Sequence, residues 1–214
     1  MGRTSDARER IVRAAARLFL TASYESVGVE DVCLAADVRK GSFYHYFRSK
    51  ADLALAVIDF HATALDERMT RAATTPDPAA ALVAVARTIG EIQTGFELRF
   101  GHVVGCPFGN LAAELSTADD AVRIRLARVF TDWRRQIALA CHRAAGHGLL
   151  RPGTDPERLA RALLAQAQGA ILLAKVDGSP ARDIADALHD LIAAHLSQGR
   201  NSGRNSGLNE GAPT

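Results

Sequence analysis

Apolar residues recur at i, i+3 and i+4 along most of the chain and nowhere alternate with period two. That spacing predicts an all-α protein of about nine helices with no sheet. Ile11, Ala14, Ala15, Leu18, Phe19 and Ala22 form the stripe of a first helix over residues 5–22, with Ser5 as its N-cap. Val29, Val32, Cys33 and Ala36 mark a short second helix, and Val38, Phe43 and Phe47 the buried side of a third. Leu53, Val57, Phe60, Ala64 and Leu65 mark a fourth from residue 50 or 51 to 73, broken by Thr74-Thr75-Pro76-Asp77-Pro78. A fifth is expected over 78–96, then a glycine-rich interval over 101–109 and a short sixth helix over 107–115. The seventh, 119–145, stops at Gly146-His147-Gly148. Asp155 as N-cap and Pro156 at the first helical position open an eighth that runs to 175. Asp177-Gly178-Ser179-Pro180 restarts the chain into a ninth that ends near 197.

The stretch VEDVCLAADVRKGSFYHYFRSK, residues 29–50, is the most informative. Two short helices meet at Asp37, a residue that tolerates the left-handed backbone of a tight turn. The second helix presents Arg39, Lys40, Ser42, Tyr44, His45 and Tyr46 away from Phe43 and Phe47. A short helix crowded with donors, aromatics and positive charge suits the DNA major groove. A helical hairpin with an ordinary solvated face fits the pattern equally well.

The motif VRKGSFYHYFRSKADL, with ARERIVRAAARLFLTASYESVGVEDVCLAA before it, resembles the DNA-binding domain of the TetR family of bacterial repressors. The likeness covers roughly the first quarter of the chain, in order and without gaps. It implies a helix-turn-helix domain over 1–50 and a bundle over 51–198 that binds an inducer and dimerises. It also implies that Lys40, Gly41, Ser42 and Tyr44 approach bases or groove walls and that His45, Tyr46 and Lys50 meet phosphates; Arg39, unusual for the family at its position, is expected to add a contact. Lysine and arginine neutralise phosphate or donate to guanine, and a glycine lets the backbone come close. Three positions depart from the family habit: Ser23 and Asp37 stand where glycine is usual, and Gly28 where serine or threonine is usual. A two-fold pair would set two such helices ~34 Å apart or more on a palindromic operator of double-stranded DNA.

Charge changes the picture slightly. Residues 1–50 hold nine Arg and Lys against six Asp and Glu, a local +3 within an overall +2. The small excess lies in the segment proposed to meet phosphate. Three scattered cysteines, Cys33, Cys106 and Cys141, suit neither a disulfide framework nor a zinc site. No cofactor is expected. No apolar run approaches membrane-spanning length, and MGRTSDARER lacks the apolar segment of a secretory signal, so the cytoplasm is the expected location. Residues 199–214, with RNSG written twice, are too polar to order themselves and read as a disordered tail.

GCPFGNLAAELS, residues 105–116, resembles a segment found in one branch of these regulators, some of which respond to electrophiles or oxidants through a nearby cysteine. Pro107 in a first helical turn makes Cys106 an N-cap, where the helix dipole lowers a thiol pKa. Lys175 and His102 are the expected charge partners. A small buried residue at a tight helix contact is the plainer alternative, and a thiol enzyme pairing Cys106 with His102 lacks an acid partner or oxyanion motif. The other sensing mode is reversible binding of a mostly apolar inducer. Its expected lining is Phe60, Ile89, Gln93, Phe96, Phe100, Cys106, Phe108, Asn110, Trp133, Gln136 and Gln166. Apolar residues cover more than one stripe of the eighth helix. The family resemblance implies a dimer interface on Leu159, Leu163, Gln166, Gly169, Ala170 and Leu173, with Ile184, Leu188, Leu191 and Ile192 from the ninth; a purely internal bundle is the alternative.

Overall fold

The computed structural model describes residues 3–197, and the tail expected to be disordered lies outside them. Nine helices are present among the described residues: α1 (Arg3–Thr21), α2 (Val29–Ala36), α3 (Lys40–Tyr46), α4 (Lys50–Ala73), α5 (Pro78–Phe100), α6 (Pro107–Leu115), α7 (Asp120–Gly146), α8 (Pro156–Asp177) and α9 (Arg182–His195). One isolated antiparallel bridge, Leu150 to Leu196, ties the end of α9 to the turn after α7. The all-α expectation holds.

Local chemistry fixes the helix ends. The Ser49 hydroxyl accepts the Asp52 N–H at 3.0 Å, and the carboxylates of Asp77, Asp119 and Asp155 accept first-turn N–H groups of α5, α7 and α8. Each such cap contributes about 1 kcal/mol. Proline stands at the start of α5, α6 and α8, where its missing N–H costs nothing. Two ends differ from expectation. Helix α1 begins at Arg3, so Ser5 lies inside it rather than capping it. Helix α5 runs one turn further, to Gly101 at φ 82°, because nothing in Glu97-Leu98-Arg99-Phe100 stops a helix before a residue that accepts the left-handed conformation.

Helix α1 packs on α2 and α3, and its other side meets α4 and α6. The remainder is a bundle in which α4 crosses α5 and α7, α7 packs on α8, and α9 closes over α5 and α8. A single apolar core runs through both parts. Helix α8 is long and apolar enough, by length and composition alone, to cross a membrane, with mean hydropathy 1.3. The expectation that no run approaches that length is corrected accordingly. One face of this helix, Leu159, Leu163, Ala167 and Ile171, is nevertheless buried in the bundle, the usual place for a core helix.

His61 on α4 is sealed between the aromatic edge of Phe108 and helix α1, with Nε2 unpartnered. Burial pushes its pKa down to about 4, opposed by the Ala16 carbonyl. The unfolded chain takes up a proton near pH 6.5 that the folded chain refuses until about pH 4. The neutral ring therefore contributes stability above pH 6.5 that is lost as pH falls through that window, ~3 kcal/mol in all. Urea unfolding at about pH 7 and about pH 4.5 should show this loss in the wild type and a smaller one in His61→Gln. Parallel profiles for the two proteins would remove His61 as the cause.

Candidate nucleic-acid interface and effector cavity

Helix α3 is held by what lies beneath it. Phe43 is fully buried and Phe47 nearly so, and their rings are 5.7 Å apart. Burying each contributes about 2–3 kcal/mol. The opposite side presents Arg39, Lys40, Gly41, Tyr44 and His45 to solvent, with Ser42 and Tyr46 half-buried. Tyr44 stands edge-on to Phe43 at 5.2 Å, and Tyr46 edge-on to His45 at 4.8 Å, so neither phenol is loosely placed. Lys40 reaches back to Glu30 of α2 at 2.7 Å, and this ion pair holds its pKa above the usual lysine value. An exposed pair of this kind is easily exchanged for phosphate. Leu34 on α2 is 85% exposed, on the side of the helix away from the buried Val32, Cys33 and Ala36.

The three unusual positions are each resolved locally. Asp37 adopts φ 51°, and the Val38 N–H donates to the Cys33 carbonyl at 3.0 Å, closing α2 as glycine would. Arg10 of α1 donates to the Asp37 carbonyl at 3.3 Å and so braces the turn between α2 and α3. The Gly28 N–H donates to the Asp31 carboxylate at 2.7 Å. The Ser23 hydroxyl accepts the Ser26 N–H at 3.1 Å.

Lys50, expected to meet phosphate, is held within its own domain. Its ammonium donates to the carbonyls of Tyr24, Val27 and Glu25 at 3.0, 3.2 and 3.5 Å, and sits 4.2 Å from the centre of the Tyr24 ring. Those carbonyls engage the donors of the ammonium.

A cavity of about 490 Å³ opens beside α6. One wall is the end of α1, residues 20–23; another is His102, Cys106, Asn110 and Glu114; the third is Gln168, Ile171, Leu172 and Lys175 of α8. Gly105 lies at φ 100°, and a Cβ there would come within 2.5 Å of Asn110 Oδ1, so only glycine fits. That lets Asn110 Nδ2 donate to the Val104 carbonyl at 3.0 Å, while its oxygen accepts from Lys175 at 3.4 Å. Cys106 is the N-cap of α6, but burial raises its thiol pKa, with the Gly109 and Phe108 N–H groups pulling the other way. This reverses the expected lowering: desolvation of a sealed thiolate outweighs the dipole of a short helix. The buried Gln168 amide faces the Cys106 thiol and likewise pulls its pKa down.

Residues 11–57 match the family described as "Bacterial regulatory proteins, tetR family", and residues 97–188 match "Tetracyclin repressor-like, C-terminal domain". The chain is similar to the transcriptional regulator AcuR of Cereibacter sphaeroides, 36% identical over 86% of this chain and 80% of that protein. The chain belongs to the TetR family. It is also similar to the transcriptional repressor DhaR of Mycobacterium sp. strain GP1, 33% identical over 79% of this chain and 83% of that protein. The solved regulatory protein TetR from Rhodobacter sphaeroides superposes with TM-score 0.76 at 34% identity, covering 89% of this chain and 99% of that one. The family resemblance and the all-α fold with a leading helix-turn-helix are thereby established, and the chain is a DNA-binding transcriptional regulator.

Within this TetR-family architecture, the expected inducer residues do not converge. Only Cys106 and Asn110 line the cavity. Phe108 is fully buried and meets Trp133 edge-on at 5.4 Å; the indole N–H donates to Asp66 of α4 at 2.9 Å. Both belong to the core. So do Ile89 and Gln93; Gln136 is half-buried on α7. Phe60 is partly exposed on α4, Phe96 and Phe100 pair at the end of α5, and Gln166 faces solvent. Gln168, two residues beyond Gln166 on the same helix, takes the place expected of it.

The expected interface also divides. Leu159, Leu163, Ile184, Leu188 and Ile192 are buried inside their own bundle, and Leu191 is half-buried. The buried five pack in the protomer's own core. The outward face of α8 carries Gln166, Gly169, Leu172, Leu173 and Val176, with Ala170 at its edge.

Proposed function

We propose that this TetR-family regulator is a repressor whose two copies read a palindromic operator and release it when a small molecule enters the cavity beside α6. Residues 1–50 form the DNA-reading part, 51–198 the effector and dimer part, and the cytoplasm is the place of action. Arg39, Lys40, Gly41, Ser42, Tyr44 and His45 are the proposed contacts, with Tyr46 on the backbone side and Lys50 bracing the domain rather than touching DNA. The observation that carries this reading is helix α3, whose polar and aromatic side chains stand exposed above two buried phenylalanines. Repression accords with the name of DhaR, a transcriptional repressor.

The cavity supports an effector that is mostly apolar with a few acceptor atoms. Ile171, Leu172 and Val104 supply apolar wall, while the Gln168 amide and the weakly held Lys175 ammonium supply donors. An effector must bind the released conformation better than the operator-bound one. Selection of genomic fragments by the purified protein, followed by ligand-induced release measured by fluorescence anisotropy, tests this directly. Failure to retain any fragment would end the reading.

A second mode, modification of Cys106 by an electrophile, is favoured by one observation: the thiol shares the cavity with His102 and Lys175. Its raised pKa implies slow reaction at neutral pH and faster reaction in alkali. Mild electrophile treatment with mass spectrometry should then place the adduct on Cys106, and operator release should be lost in Cys106→Ser. Equal release by both proteins leaves only reversible binding. Catalysis forms no part of either mode.

A further inference from the structure

The turn between α1 and α2 is gripped through both of its hydrogen-bonding polarities. Its Tyr24 and Glu25 N–H groups donate to the two oxygens of Glu114 on α6, at 2.9 and 3.1 Å. Its Tyr24, Glu25 and Val27 carbonyls accept from Lys50 at the start of α4. Tyr24 between them is 6% exposed and packs on Phe19 at 5.1 Å. Carboxylate and ammonium partners make these bonds stronger than neutral ones. The turn therefore cannot shift relative to α6 or α4 without breaking several of them.

Glu114 has a second location that gives this clamp a use. It lines the effector cavity from the same nine-residue helix as Asn110, the helix that Cys106 caps. The facing wall is the last turn of α1 and the residues just beyond it, 20–23, which lead into the clamped turn. A short helix moves as a unit, and packed interfaces change by discrete steps rather than by bending. Whatever displaces α6 from α8 must either pull Tyr24 and Glu25 with it or break their bonds.

We propose that Glu114 is a positioning residue that transmits occupancy of the cavity to the reading helices, by coupling α6 to the α1–α2 turn that Lys50 anchors on α4. The proposal rests on the reading of the chain as an effector-released operator binder. A cap that only satisfies two turn amides would stabilise the fold equally whether the cavity is full or empty. A transmitting residue makes cavity filling and DNA affinity depend on each other.

Gly109 offers a tethered occupant in place of an unidentified effector. A Cβ there points at Gln168 Oε1, 2.8 Å away, with Cys106 Sγ at 3.9 Å, so a leucine side chain enters the cavity from α6. Operator affinity is measured for the full-length wild type, Gly109→Leu, Glu114→Gln and the double variant, on a fragment selected from the genome. Gly109→Leu should weaken binding at least about fivefold, the lower end of ordinary coupling. In the Glu114→Gln background the same change should cost less than about twofold. Equal effects in both backgrounds, or no effect of Gly109→Leu on affinity, overturns the proposal. Amide exchange at Tyr24 and Glu25 gives an arm that needs neither DNA nor a Glu114 variant. Gly109→Leu should speed it about tenfold by opening the clamp, and unchanged exchange also overturns the proposal. A protein that retains no DNA fragment defeats the operator reading instead, and the exchange arm still judges the clamp.

Discussion

Replacing Lys40 and Tyr44 together by alanine will weaken operator binding about 100-fold or more and leave the thermal midpoint nearly unchanged. Each side chain is more than half exposed, so neither holds the core. Both project from a helix whose placement depends on Phe43 and Phe47 rather than on them. Removing two good groove interactions at once accounts for about two decades of affinity. The two residues also separate by salt. Lys40→Ala alone should lower the slope of log affinity against log salt by about one, because one phosphate or groove cation is gone. Tyr44→Ala should lower affinity with the slope intact. Titrations at several salt concentrations check both, and an unchanged affinity of the double variant would falsify the assignment of α3 as the reading helix.

The chain announces its helices because caps and breakers are local. Asp77, Asp155, Pro107 and Gly178 act on neighbours within one turn, so their roles can be read in order along the sequence. The proposed reading helix is legible for a related reason: groove contact calls for residues that its burial pattern does not. The bracing contacts of Lys50 are invisible in the sequence because its carbonyl partners lie 23 to 26 positions upstream and carry no side-chain signature. Glu114 ends the GCPFGNLAAE segment, yet its role depends on two amides about 90 positions away. The aromatic residues mislead in the opposite sense. Phe108 and Trp133 have the composition of a pocket and the packing of a core, and only the surroundings distinguish the two. Cys106 is legible as a helix start, but burial decides the thiol's pKa and is a tertiary property.

The largest effect on assembly is expected from Leu173→Glu combined with Val176→Glu. These residues are 63% and 77% exposed, and Leu172 beside them is 59% exposed. With Gln166 and Gly169 they form one continuous face of α8, while Leu163 and Ile171 on the other side are already committed to the bundle. A lone protomer would leave this apolar stripe in water, and a second copy meeting it about a two-fold axis would cover it on both sides at once. Glycine at 169 leaves open space above the backbone, which permits a close crossing. Two glutamates per chain would put several like charges into a dry two-fold interface, where unpaired charge is strongly unfavourable. Sedimentation should show a single-chain species with wild-type helicity, and operator affinity should fall by more than about 100-fold because each molecule then holds one half-site. Leu188→Ala supplies the contrast. That residue is 1% exposed inside the protomer, so its loss should cost about 2–5 kcal/mol of stability without a charge-driven change of oligomeric state. If the glutamate variant stays dimeric while Leu188→Ala dissociates, the interface lies on the face of α9 and not on the outer face of α8.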